Sequence, residues 1–141
     1  MHHVIINGPN LNLLGRRQPE MYGSKSFEEF LPELRQQFPA IRLEYFQSNH
    51  EGALIDKLHE VGFSCHGVIL NAGAYTHTSI ALADAVSAIE SPVVEVHITD
   101  ISKRETYRQH SYLTAVCVHA IMGKGLAGYA EAIAYLTALR Q

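Results

Sequence analysis

Arg16, Arg17 and Tyr22 lie in the stretch from Asn7 to Gly23, which is rich in Gly, Pro and Asn and directly follows a short apolar run. Loops of that length inside a compact domain usually have a task. A phenol ionises near pH 10 in water, and a fixed positive charge beside it favours the ionised form. The stretch therefore reads as a lid, without a helix of its own, that brings positive charge up to a catalytic base. Polar groups gather after two further apolar runs: Asn71, Thr76, His77 and Thr78 follow Val68-Ile69-Leu70, and Glu95, His97 and Thr99 follow Val93-Val94, with Lys103, Arg104 and Arg108 beyond. Singly, each has an ordinary use as a turn residue, a helix cap or a hydrogen-bonded core histidine. Together they put amides, two imidazoles and backbone N–H groups at one crevice, and imidazole carries a proton near neutral pH.

The elements that must position these groups follow from hydrophobic patterning. Strands are expected at 3–6, 42–46, 67–70, 93–98 and 115–120, alternating with helices at 26–38, 51–61, 78–89 and 126–139. The runs around Val68 and Val93 are continuously apolar, as in parallel strands covered on both faces. This predicts an α/β fold with a doubly wound, five-stranded parallel sheet in the order 2-1-3-4-5, helices on both faces, and a ligand at the carboxyl ends of strands 1 and 3. Ser26 and Glu29 form a capping box. Pro32 falls inside that helix and predicts a kink. Thr76 or Thr78 is expected to cap the helix that follows, and the last helix is apolar on more than one side, which fits either a subunit interface or deep burial within one subunit.

With 141 residues the chain is expected to form one catalytic domain, 1–141, and apolar residues at 47% against charged residues at 18% fit an ordinary globular protein. A net charge of −3 argues against a nucleic-acid surface. Cys65 and Cys117 have neither disulfide density nor zinc spacing and read as reduced core thiols. The chain enters a strand at once and has no membrane-length apolar run, so a cytoplasmic protein is expected, with no membrane partner. Two rival chemistries fit poorly. The four lysines lie in expected loops or exposed helix positions rather than in an apolar pocket suited to imine formation. The turn after strand 1, Gly8-Pro9-Asn10-Leu11-Asn12, lacks the glycine pattern of a nucleotide or flavin cradle.

Three blocks carry a family resemblance: Gly8 to Gly23, Ile69 to Ser79, and Glu95 to Thr99 with Arg104 to Tyr112. In order and spacing they resemble type II 3-dehydroquinate dehydratase over essentially the whole chain. The resemblance implies a flavodoxin-like fold and a homo-oligomer, a dodecamer of trimers. It also implies a lyase without metal or cofactor that converts 3-dehydroquinate to 3-dehydroshikimate by anti elimination of water through an enolate. That shikimate-pathway step serves both aromatic amino acid biosynthesis and quinate breakdown. By the same resemblance Tyr22 is the base, Arg17 its activator, His97 the acid, and Asn10 the residue that orients a water on the enolate oxygen. Glu95 would orient His97 from behind. Asn71 and the backbone N–H groups of Ile98 and Thr99 would hold the substrate carboxylate, His77 and Arg108 the ring hydroxyls, and Asp84 would come from a neighbouring subunit. Arg16 matches less well and reads as solvated. Thr99, Asp100, Ser102-Lys103 and Thr114-Ala115 depart from the family pattern. Asp100 would add a negative charge near an anionic substrate, and Thr114-Ala115 is expected to affect the approach to strand 5 rather than the chemistry.

Overall fold

Five apolar runs pair into one parallel sheet: β1 (His2–Asn7), β2 (Arg42–Gln47), β3 (Gly67–Asn71), β4 (Val93–His97) and β5 (His119–Met122). In this computed structural model, which describes residues 1–140, the strand order is β2-β1-β3-β4-β5, with every neighbouring pair parallel. β3 and β4 are buried along their whole length, which accounts for their unbroken apolar character. Alternate residues serve opposite faces. Val4, Ile6, Val68 and Leu70 pack with Leu54 and Leu58 of α3 (Glu51–Val61) and Leu82 and Val86 of α4 (Ile80–Ala88). Ile5, Ile69, Val94 and Val96 pack with Phe27 and Leu34 of α2 (Phe27–Gln37) and Tyr129, Ile133 and Leu136 of α5 (Ala127–Ala138). Two helices therefore cover each face, and the fold is the doubly wound flavodoxin-like arrangement that the patterning predicts.

The helix termini follow local chemistry. Ser26 Oγ accepts from the Glu29 N–H at 3.1 Å, and Glu29 Oε1 accepts from the Ser26 N–H at 3.3 Å, completing the capping box of α2. That helix continues through Pro32 to Gln37. The cap of α4 is Ser79, not Thr76 or Thr78: its Oγ accepts from the Leu82 N–H at 2.9 Å. A 3₁₀ turn over Gly73–His77 comes first and delays the helix start, leaving Thr76 fully buried.

Two other expectations are corrected. The segment after β1 is not free of helix: a 3₁₀ turn at Leu11–Leu13 and one helical turn, α1 (Pro19–Tyr22), are built into it. Proline at the first helical position pre-sets α1, and Gly23, at φ 87°, ends it. The fifth strand begins later than 115. Leu113 is fully buried and its carbonyl accepts from Val116 and Cys117, so the chain turns there before the Val118 N–H reaches the Val93 carbonyl. Cys65 is buried and Cys117 half-buried, and both are free thiols; burial pushes the Cys117 thiol up to about 12.

Candidate active site

The carboxyl ends of β1, β3 and β4 open onto a cleft whose lining includes Asn10, Arg17, Tyr22, Asn71, His77, His97, Ile98, Thr99, Arg104 and Arg108. This edge is crowded by design. A Cβ on Gly8 would sit 2.5 Å from the Ala72 carbonyl oxygen, so only glycine lets the chain leaving β1 pass the end of β3. Asn10 follows with φ 70°, a left-handed conformation that asparagine tolerates better than most residues. Its N–H donates to Asn49 Oδ1 at 3.0 Å, which ties the turn to the end of β2.

Tyr22 forms one wall. The Arg104 guanidinium donates to the Tyr22 hydroxyl at 3.0 Å and to Thr99 Oγ1 at 3.2 Å. Arg17 lies over the Tyr22 ring, 5.1 Å from its centroid, whereas Arg16 is exposed and outside the cleft. The hydrogen bond on the phenol thus comes from Arg104, to which the sequence assigned no role. Its signal was present in the run Arg104-Glu105-Thr106-Tyr107-Arg108, but the contact spans 82 positions and exists only because the topology brings the loops after β1 and β4 together. Glu105 anchors this wall. It accepts from the Tyr107 hydroxyl at 2.6 Å and Arg108 Nε at 3.0 Å and pairs with Arg104 Nε at 3.4 Å; Tyr107 foremost, then its own backbone N–H and Arg108, hold its carboxyl down to about 2.

His97 lines the same cleft from the end of β4. Glu95 and His97 share a strand face, and His97 Nε2 lies 2.6 Å from Glu95 Oε2. Glu95 is fully buried. Burial alone would raise its carboxyl, but the bond and charge of His97 and the hydroxyls of Ser111 and Thr114 outweigh that and hold it below the ordinary carboxylate range. The Thr114 hydroxyl donates to Glu95 Oε1 at 2.6 Å, so Thr114 belongs to the support of His97 and not merely to the approach to β5.

The floor is fixed from beneath. Tyr129, fully buried on α5, accepts from Asn71 Nδ2 at 3.0 Å and donates to Asn7 Oδ1 at 2.8 Å, and Asn71 Oδ1 accepts from the Gly73 N–H at 3.2 Å. These bonds set which end of the Asn71 amide carries its donors. His77 Nδ1 bonds the His110 carbonyl at 2.7 Å, and partial burial pushes its imidazole below the ordinary histidine value despite that bond. Asp100 turns away into a cap, accepting from Ser102 N–H and Oγ at 3.0 and 2.6 Å. Asp84 is exposed on α4 and does not line the cleft of its own chain. No group of three or more His, Cys, Asp or Glu suited to hold a metal occurs among the described residues, and no helix is long and apolar enough to cross a membrane.

The family model described as dehydroquinase class II matches residues 1–137. A 3-dehydroquinate dehydratase of an Exiguobacterium species is 55% identical over 134 residues, covering 94% of this chain and 92% of the relative. A catabolic 3-dehydroquinase of Verticillium alfalfae is 44% identical, covering 94% and 89%. The crystal structure of type II dehydroquinase from Butyrivibrio crossotus superposes with a TM-score of 0.93 at 41% identity, covering 97% of each chain. The sheet order, the cleft at its carboxyl edge and these matches agree, and the chain belongs to the class II dehydroquinase family.

Proposed function

We propose that the chain, working as one catalytic domain over residues 1–141, eliminates water from 3-dehydroquinate to give 3-dehydroshikimate. Tyr22, as phenolate, removes a proton from C2 beside the C3 ketone, and the electron pair becomes an enolate. His97, as imidazolium, then protonates the C1 hydroxyl as it leaves, so that one proton comes off carbon and one goes onto the departing water. The observation that carries this reading is that the two walls of one cleft supply opposite charge environments. A cationic donor lies 3.0 Å from the Tyr22 oxygen, and an anionic acceptor lies 2.6 Å from His97. A phenolate needs the first and an imidazolium needs the second.

The other lining residues supply binding and stabilisation. Asn71 and the N–H groups of Ile98 and Thr99 hold the substrate carboxylate, His77 and Arg108 take ring hydroxyls, and Asn10 orients a water on the enolate oxygen, where preorganised donors act most strongly. Arg17 over the ring and Arg104 at the hydroxyl place the positive charge beside Tyr22 that its role as base calls for. Asp84, exposed on α4, reaches the cleft of a neighbouring subunit in a dodecamer built of trimers, and the enzyme works in the cytoplasm.

Incubation of purified protein with 3-dehydroquinate should produce the absorbance of a conjugated enone. Tyr22→Phe should abolish it without unfolding the chain, and activity within about tenfold of wild type would remove Tyr22 as the base. Sedimentation coupled to the assay tests the shared site. Dissociated subunits should be folded and inactive, and a fully active monomer would contradict the role of Asp84.

A further inference from the structure

We propose that the Thr114 hydroxyl, assisted by that of Ser111, is a positioning device for the acid: it keeps Glu95 a fixed, ionised acceptor, so that His97 is held on one ring nitrogen and offers the other to the leaving hydroxyl. The proposal rests on the reading of His97 as the acid. Glu95 is fully buried, and an ionised carboxylate in that position is costly unless its lone pairs are met. Its two oxygens are met unequally. Oε2 accepts from His97 Nε2 and Ser111 Oγ, both at 2.6 Å, whereas Oε1 has only the Thr114 hydroxyl, also at 2.6 Å, among the described residues. The titratable groups near Glu95 are His97, His77 and Cys117, and only His97 bonds to it.

Neither hydroxyl lines the cleft, so both act through Glu95 rather than on substrate. They are rigidly presented. Ser111 Oγ also accepts from the N–H groups of Leu113 and Thr114, at 3.1 and 3.3 Å, and the Leu113 side chain between them is fully buried. The Ser111 hydroxyl therefore also shapes its own turn, whereas the Thr114 hydroxyl makes only its bond to Glu95 among the described residues. Thr114→Val, which keeps the shape and removes the hydroxyl, isolates that bond.

Turnover should be compared on 3-dehydroquinate and on an analogue with fluorine in place of the C1 hydroxyl. In the analogue the C1–F bond breaks to release fluoride, which needs no proton. Thr114→Val should lower kcat on the natural substrate about tenfold to a hundredfold, the range for a hydrogen bond to a charged group, with KM unchanged. On the analogue most of that loss should vanish, and Thr114→Ser should recover the rate on the natural substrate. No loss, or an equal loss on both substrates, overturns the proposal. If His97→Ala is not rescued by fluoride either, the reading of His97 as acid fails. The positioning claim is then decided by carbon-13 titration of Glu95, which should protonate at higher pH in Thr114→Val, or in Thr114→Ala if the valine variant does not fold. An unchanged titration overturns it.

Discussion

Tyr22 stands on a single helical turn in an exposed loop and is engaged at its ring by Arg17 and at its tip by Arg104, whereas His97 ends a fully buried strand and rests on a carboxylate with three hydrogen-bonded partners. The Tyr22 side is held by two guanidinium groups, one over the ring and one hydrogen-bonded to the hydroxyl. The His97 side is held by short side-chain bonds that converge on the buried Glu95 carboxylate. The contrast suits the proposed roles: a phenol that acts as base has to meet the substrate after it enters, while an imidazole that acts as acid needs one fixed orientation toward a leaving group.

The largest effects should come from the two reacting groups. Tyr22→Phe and His97→Ala should each lower kcat by about a hundredfold to ten-thousandfold or more, the usual reach of general acid–base catalysis, while melting temperatures stay near wild type. The fluoride analogue separates them, rescuing His97→Ala and leaving Tyr22→Phe inactive. If His77→Ala is rescued and His97→Ala is not, the acid is His77.

Next come the arginines. Arg104→Ala removes a charged hydrogen bond and should lower kcat about tenfold to a hundredfold. Arg17→Ala, which removes a cation over the ring face, should cost a few fold to about tenfold, mainly in kcat. Kinetics of the two variants decide the ranking, and the reverse order would return the main activating role to Arg17.

A smaller effect is expected at the floor. Tyr129→Phe leaves the Asn71 and Asn7 amides without their shared partner and should raise KM several-fold with little change in kcat, because it disturbs carboxylate binding rather than proton transfer. A fall in kcat at constant KM would instead tie Asn71 to the chemical step.

At the opposite edge of the sheet, His3 should affect stability alone. It is fully buried, with neither ring nitrogen partnered among the described residues, and burial pushes its imidazole down to about 4. The unfolded chain therefore binds the extra proton between its ordinary value, near 6.5, and about 4. Stability is complete above that window and is lost as pH falls through it, by about 3 kcal/mol for a lowering of this size. Denaturant titrations should show His3→Leu flattening this acid dependence without changing kcat near neutrality. An unchanged slope would assign the loss to other groups.

Much of this was legible in the sequence, and the exceptions have physical causes. The continuous runs Val68-Ile69-Leu70 and Val93-Val94 announced buried parallel strands, and their polar successors marked the cleft, because alternation and strand length are local properties. Glu95 and His97 share a face by simple period-two geometry. Arg104 and Thr114 were missed because each acts across space, on a residue 82 or 19 positions away, and nothing in their neighbourhood records the partner. The start of β5 was placed too early because Ala115 to Val118 has a strand's composition, while buried Leu113 and the Thr114–Glu95 bond hold the chain in a turn there. Ser79 won the cap of α4 over Thr76 and Thr78 because a 3₁₀ turn shifted the helix start.

The division of labour between the two walls is tested most directly by hydrogen exchange at C2 of 3-dehydroquinate in heavy water, followed by NMR. On the proposed roles His97→Ala retains the base and lacks the acid, so it should wash deuterium into C2 while forming little 3-dehydroshikimate. Tyr22→Phe should do neither. Exchange that survives in Tyr22→Phe and disappears in His97→Ala would contradict the account, since the imidazole and not the phenol would then be taking the proton from carbon.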